Sequence, residues 1–394
     1  MVHRQDYPLE HMTTLPRHVD SLSSSNYKKA PVRFRIEPAP QYCNEQGHLI
    51  CSPGALFEGV VLVQLNEPLA AVRLRLVFKL SEMLNYDAMK WGQRIIEDRI
   101  YNIRTVLWGH PSSHDNSETT RSWPIMEPGY HLFPFTCAMP NVNYPPSTLN
   151  NSLVQYPFHM IATLDRPGFR PFQTEPCVIT FQPKIPVIPP SLSITDNNGK
   201  TSYHEERQLG TISVTVHVPT TLYHTGDILT VSIRATDSIV VSVSLEQHFK
   251  VTTSAFHHSK TIVVKHVDQR RMETGEIDIP LDEQDVSPSF EYGRKVEMRY
   301  FIKVVAKSKQ NTLQTKKKTF LIPIFIGTLA SDAMDQEDLI LPYTDDVVVN
   351  DTTLRTKPKF LRHQSEPLPI LPPYDPVDCP PDYCSEHGHH HDEE

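Results

Sequence analysis

The chain has 394 residues, 21% of them charged, and a formal net charge of −8. Residues 331–394 contain 15 acidic and 4 basic residues, so the end of the chain is acidic and the preceding part is mildly basic. This distribution argues against nucleic-acid binding as the main role, but it allows the body to contact anionic lipid or phosphorylated segments. The six cysteines form no C-x-x-C pair, and neither a signal peptide nor an apolar stretch of about 20 residues occurs, so we expect a cytosolic protein.

Short apolar segments with period-two alternation follow one another through most of the chain. In residues 72–78 apolar side chains alternate with arginines, as they do in a strand with one buried face. Turn residues separate such segments, among them Pro53-Gly54 in the first half and Asp237-Ser238 in the second. The strands that follow Gly54 and Gly226 repeat a similar plan about one domain length apart. With no long amphipathic helix pattern, the sequence predicts an all-β fold of two tandem antiparallel β-sandwich domains.

Shifts in composition give the predicted boundaries. Beyond about residue 329 the chain is rich in proline and acidic residues and lacks periodic apolar positions, so we expect it to be disordered. The predicted parts are a flexible leader at 1–27, a first domain at 28–186, a linker at 187–204, a second domain at 205–328 and a disordered proline-rich acidic tail at 329–394.

Two tyrosine motifs in the tail are candidate ligands for WW domains. Such motifs favour polyproline II, which is already extended and loses little entropy on docking. Two motifs nine residues apart suit two linked WW domains, which would raise the affinity by avidity. The candidate binding residues are Pro380, Pro381 and Tyr383 of a complete P-P-x-Y, and Leu371, Pro372, Pro373 and Tyr374 of the weaker variant L-P-x-Y.

Ser365 is a candidate phosphorylation site. Arg362 lies three residues before it and Pro367 two residues after it, a pattern that resembles a 14-3-3 binding site once the serine is phosphorylated. A chance match is the alternative interpretation, because short motifs of this kind are common.

A group of lysines near the end of the second domain has several interpretations. Lys316, Lys317 and Lys318 are consecutive and follow Lys303 and Lys307 on one predicted hairpin. They are compatible with a solvated face, with contact to lipid or to a phosphorylated segment, and with a ubiquitin acceptor; the sequence does not separate these alternatives.

No enzyme or metal signature occurs. The chain contains no G-x-S-x-G, no glycine-rich phosphate loop and no H-E-x-x-H, so we predict no catalytic residue, no cofactor and no enzymatic activity. His387, Cys379 and Cys384 lie near three consecutive histidines in the tail, but their spacing fits no standard zinc site, and we predict no metal. Cys43 and Cys51 are predicted to be ordinary thiols.

Several segments together resemble the α-arrestins, the arrestin-domain adaptor proteins. The similarity extends over roughly residues 28–328 and is strongest at residues 128–135, PGYHLFPF. The other matching segments are Pro53-Gly54 with residues 59–63, Met139-Pro140 with Pro145-Pro146-Ser147, residues 155–167 and residues 321–327. Residues 43–49 and 110–121 depart from the family pattern, which affects target choice more than fold.

The resemblance implies a function as well as a fold. An α-arrestin-like protein is an adaptor with two arrestin-type β-sandwich domains that bind membrane-protein cargo, such as a transporter or a receptor. Its tail recruits a HECT-type ubiquitin ligase through WW domains, so that the cargo is ubiquitinated, endocytosed and sorted. The implied location is the cytoplasm, with recruitment to the plasma membrane and endosomes. The alternative is an arrestin-fold scaffold for vesicle sorting or signalling whose tail motifs are incidental.

Overall fold

A computed structural model of the chain describes residues 18–19, 29–85, 95–109, 123–147, 153–167, 169–187, 201–252, 257–282, 285–291, 293–311, 314–329, 341–342 and 356–361. Strands account for nearly all the regular structure in these ranges, together with one short 3₁₀ helix, η1 (Pro40–Tyr42). The prediction of an all-β fold with sheets of the sandwich type is therefore confirmed. Within the same ranges, no helix has the length and apolar character needed to cross a membrane.

The first half of the described chain forms two main sheets. Its strands are β1 (His18–Val19), β2 (Arg33–Pro38), β3 (Leu49–Cys51), β4 (Leu56–Leu65), β5 (Leu69–Ala70), β6 (Arg73–Asn85), β7 (Ile95–Gly109), β8 (Trp123–Met126), β9 (Gly129–Ala138), β10 (Val142–Asn143), β11 (Val154–Gln155), β12 (Phe158–Arg166), β13 (Phe169–Gln173) and β14 (Cys177–Phe181). One main sheet contains β2, β4 and β9 in that order, and the other runs β11-β6-β12-β14-β3, with β7 on β6 and β13 on β12. β1, placed in the leader by the sequence, pairs with β8.

Aromatic side chains fill the space between the two main sheets. Phe57 of β4 meets Phe78 of β6 edge to face, with ring centroids 5.9 Å apart, and both are buried. β6 shows the predicted alternation, because Leu74, Leu76 and Phe78 are buried while Arg73, Arg75 and Val77 are partly exposed. Edge-to-face packing of this kind adds to the free energy gained by burying the rings.

The second half forms a seven-stranded sheet around one very long hairpin. Its strands are β15 (Tyr203–Leu209), β16 (Ile212–Val218), β17 (Leu222–His224), β18 (Ile228–Thr252), β19 (His257–Pro280), β20 (Val296–Asn311) and β21 (Gln314–Gly327). The sheet order is β15-β16-β18-β20-β21-β17, and β19 also pairs with β18. The predicted turn at Asp237-Ser238 is wrong: β18 continues through these residues, and the pairing with β19 shifts register there. A register shift lets one strand bend and serve two layers.

The chain returns to the first half after β21. β22 (Leu341–Pro342) pairs in parallel with β10, and β23 (Lys359–Leu361) pairs antiparallel with the edge of β9. Both strands lie in the segment that the sequence places in the tail, so part of that segment completes the sheets of the body. The compact unit that holds all the described residues ends at Leu361.

The two turn glycines have the backbone conformation that their role requires. Gly54 has φ 71° and Gly226 has φ 96°, both in the left-handed region that residues with a Cβ avoid. The turn predicted at Pro53-Gly54 is therefore present, and Gly226, predicted to open a strand, also lies in a turn.

Candidate functional site

The residues predicted to bind partners fall in two places. The described residues include Lys316, Lys317 and Lys318, which lie on β21 near the tip of its hairpin with β20. The WW-motif residues Leu371 to Tyr374 and Pro380 to Tyr383, and also Ser365, lie outside the described residues.

The β20–β21 hairpin brings like charges face to face. Lys307 of β20 lies directly opposite Lys317 of β21, and Lys316 and Lys318 occupy the neighbouring positions on β21. Like charges at directly opposed positions destabilise a sheet. The side chains of Lys316, Lys317 and Lys318 are all exposed. We call Lys307 and Lys316 to Lys318 the hairpin lysines.

The hairpin lysines differ from most other lysines of the described body in having no ion pair with a described carboxylate. Six other described lysines each form an ion pair within the protein. The pairs are Lys29 with Glu67, Lys79 with Glu97, Lys250 with Glu297, Lys265 with Asp282 and Asp285, Lys295 with Asp98, and Lys303 with Glu246. No described carboxylate therefore balances the positive charge of the hairpin lysines, and an external anion can approach it.

Lys303, on the same hairpin, is held differently. Its ammonium group donates to Glu246 Oε1 at 2.8 Å, and His248 Nε2 lies 3.1 Å from Glu246 Oε2. Burial raises the pKa of Glu246, but the hydrogen bonds with Lys303 and His248 outweigh burial and hold the pKa below its usual value. Lys303 is thus engaged in the sheet, and we do not count it among the cations free to bind a partner.

A second polar cluster joins the two halves of the body. Glu82 of β6 is fully buried, with Oε2 accepting a hydrogen bond from the Tyr156 hydroxyl at 2.8 Å and Oε1 accepting one from the Lys295 backbone N–H at 3.1 Å. Nearby, Asp98 of β7 accepts from Lys295 Nζ at 2.8 Å and forms a 3.3 Å ion pair with Arg294. Residues of the first half therefore supply the two carboxylates and the Tyr156 donor, and the segment before β20 supplies Arg294 and Lys295.

Burial and charged contacts act in opposite directions on the two carboxyl groups of this cluster, and burial prevails only at Glu82. It raises the pKa of Glu82 to about 7, although the Tyr156 hydroxyl and Lys295 act in the opposite direction. The pKa of Asp98 is lowered: burial raises it, but the contacts with Lys295 and Arg294 outweigh this effect. The cluster holds the two halves together through groups whose charge state depends on pH.

Neither a metal centre nor a reactive cysteine is apparent in the described part of the chain. In that part, no three His, Cys, Asp or Glu side chains are grouped as metal ligands. Cys51 and Cys137 are buried, and burial raises the pKa of the Cys137 thiol to about 12, which keeps it protonated.

The Glu82 cluster and strand β23 were not predicted from the sequence. Glu82 stands in an alternating strand, and nothing in its neighbourhood of the sequence indicates that it is buried. For β23 a signal existed, because Thr356, Pro358 and Phe360 alternate with Lys357 and Lys359 as they would in a strand.

Neither the protein-family models nor the curated proteins compared with this chain give a match.

Proposed function

We propose that this protein is a non-catalytic adaptor of the α-arrestin type. Its β body binds the cytosolic surface of a membrane protein, such as a transporter or a receptor, and the residues after Leu361 recruit a WW-domain HECT ubiquitin ligase. The cargo is then ubiquitinated, endocytosed and sorted. The observation that supports this proposal is the division of the chain: the compact unit ends at Leu361, and both tyrosine motifs follow it.

An adaptor of this kind acts by proximity and needs no chemistry of its own. A ligase held on residues 362–394 has a raised effective concentration at any cargo held on the body. The complete P-P-x-Y that ends at Tyr383 is the main attachment point, and the L-P-x-Y that ends at Tyr374 adds avidity. Phosphorylated Ser365, which precedes both, would give 14-3-3 proteins a competing site.

The proposal is tested by capturing WW-domain ligases with the full-length protein and its tyrosine variants. We expect Tyr383→Ala to lose most of the captured ligase, Tyr374→Ala to lose less, and the double variant to lose nearly all. Tyr343→Ala is the matched control, since Tyr343 is a tyrosine of the same acidic region outside both motifs. Equal capture by the double variant and the wild type would contradict the proposal, and unchanged cargo sorting in the double variant would favour a vesicle-sorting scaffold.

The hairpin lysines support a membrane contact within the same function. Lys316, Lys317 and Lys318 are exposed, and none of the hairpin lysines forms an ion pair with a described carboxylate. They lie near the tip of a hairpin, where a flat anionic surface can reach them. Each lysine near an anionic membrane contributes about 1 kcal/mol. Three such residues together therefore strengthen binding on the order of a hundredfold.

Two sets of substitutions separate membrane contact from ubiquitin acceptance. Replacing Lys316, Lys317 and Lys318 with serine should reduce cosedimentation with phosphatidylserine vesicles, whereas replacing all three with arginine should preserve it. Loss of ubiquitin conjugates in the arginine variant would identify these residues as acceptors instead. Lys250→Ser, which removes a lysine already paired with Glu297, should leave vesicle binding unchanged.

A further inference from the structure

Residues 356–361 lie on the body as an extended segment with two different sides. Thr356 and Pro358 are buried and Phe360 is partly buried, while Lys357, Lys359 and Leu361 are exposed. The Phe360 ring meets the ring of Phe135 on β9 edge to face, with centroids 6.5 Å apart. The Tyr144 hydroxyl donates a hydrogen bond to the Thr356 carbonyl. The segment therefore has the contacts of a bound peptide.

The alternation of backbone groups along β9 identifies the groups that pair with β23. The Met139 N–H donates to the Ala55 carbonyl at 2.8 Å, on the side of β4. Because backbone groups alternate in direction along a strand, the even-numbered residues of β9 point to the other edge. Thr136 and Ala138 pair there with Leu361 and Lys359. The next residue of this parity, Pro134, has no N–H and therefore cannot donate to an added strand.

The described contacts between β23 and β9 are few. Its ladder contains three residue pairs, and Phe360 is its only large apolar side chain that packs against the core. The covalent connection to the body compensates, because it gives the segment an effective concentration on the order of millimolar at β9. A contact of this strength is exchangeable with a similar segment from another chain.

We propose that the edge of β9 at residues 136–138 is a strand-addition site for an extended peptide of a partner protein, which residues 356–361 occupy as a built-in ligand. The partner peptide carries a proline and an aromatic residue two positions apart on its inward side and polar or basic residues between them. This inference goes beyond the proposed adaptor function and does not depend on the ligase motifs.

The test uses a fluorescein-labelled peptide with the sequence of residues 353–364 and the full-length protein. Lys359→Pro combined with Leu361→Pro removes the two N–H donors of β23 and leaves the inward side chains in place. We expect the peptide to bind this double variant at least tenfold more tightly than the wild type, measured by fluorescence anisotropy. Phe360→Ser is a second way to vacate the site and should have the same effect.

Two controls locate the binding on β9. A peptide with aspartate at the position of Phe360 should not bind, because the inward side against Phe135 is apolar. Adding Thr136→Pro to the double variant should abolish binding, because it removes the N–H of the edge while Pro134 shows that this strand accommodates proline at that parity. Thermal unfolding confirms that each variant is folded. Absence of peptide binding to both folded β23 variants, or binding that Thr136→Pro leaves unchanged, would overturn the proposal.

Discussion

The hydroxyl of Tyr156 donates a 2.8 Å hydrogen bond to the carboxylate of Glu82, and both side chains are buried where the two halves of the body meet. Tyr156→Phe removes the donor and leaves a buried carboxylate oxygen short of a partner. We expect the free energy of unfolding to fall by about 1–3 kcal/mol, measured by chemical denaturation.

Tyr101→Phe is the matched control for that substitution. Tyr101 is also buried, but its hydroxyl has no hydrogen-bond partner among the described residues. Removing it should change stability little or raise it slightly, because no hydrogen bond is lost. Equal losses in the two variants would show that the Tyr156–Glu82 contact has no special role.

The raised pKa of Glu82 predicts a pH dependence of stability. The folded protein binds this proton up to a pH of about 7, whereas the unfolded chain releases it near 4.5. Stability from this group is therefore fully present below the unfolded value and declines as the pH rises towards 7. Glu82→Gln cannot titrate, so between pH 5 and 8 the wild type should lose stability relative to it, by at most about 3 kcal/mol. A difference that does not vary with pH would contradict the prediction.

Because Lys307 and Lys317 are directly opposed, we expect a substitution that stabilises the hairpin to weaken its binding to anionic vesicles. Lys317→Glu converts a like-charge pair into an attractive one, which should raise the free energy of unfolding by about 0.2–1 kcal/mol. The same change should weaken cosedimentation with anionic vesicles. Thr319→Glu, which places the charge two residues further along the strand and opposite Val305, is the control for added negative charge. A Lys317→Glu protein that is less stable than the wild type would argue against the repulsion.

A side chain at Gly59 would clash with neighbouring atoms, including the Phe135 ring that contacts Phe360 of β23. A Cβ at this position would lie 2.7 Å from the Glu37 carbonyl oxygen and 2.8 Å from Phe135, whose ring packs against Phe360. Gly59→Ala should therefore cost about 1–3 kcal/mol of stability. Gly275→Ala is the control, because its Cβ would meet only the Met272 side chain, at 3.6 Å. Similar thermal unfolding of the two variants would rule out the steric explanation.

The alternation of residue types and the positions of turn residues predicted those parts of the fold that depend on neighbouring residues in the sequence. The alternation in β6 follows directly from its residue types, because each apolar side chain there faces the core. Gly54 was recognisable as a turn residue because few other residues adopt its backbone conformation. Asp237-Ser238 looked equally like a turn, but pairing along the whole β18–β19 hairpin outweighs the turn preference of two residues.

The features that were missed depend on contacts between distant parts of the chain. Glu82 is one polar residue in a strand, and only the approach of Tyr156 and Lys295 explains how it can be buried. β23 is three residues long and lies in a segment whose composition indicates disorder, so its assignment needs the edge of β9. The Lys316 to Lys318 cluster was visible in the sequence. Its position opposite Lys307, and the lack of an ion pair with a described carboxylate, became visible only in the folded hairpin.

The pairing of residues 356–361 with the first half has a consequence during synthesis. Tyr144 and Thr356 are 212 residues apart in the sequence. At 5–20 residues per second, the ribosome needs roughly 10–40 seconds to make that stretch. For this time the edge of β9 lacks the partner that β23 supplies, and a chaperone or a neighbouring nascent chain can reach it. When β23 is made and pairs with β9, it covers this edge and protects it from misassembly.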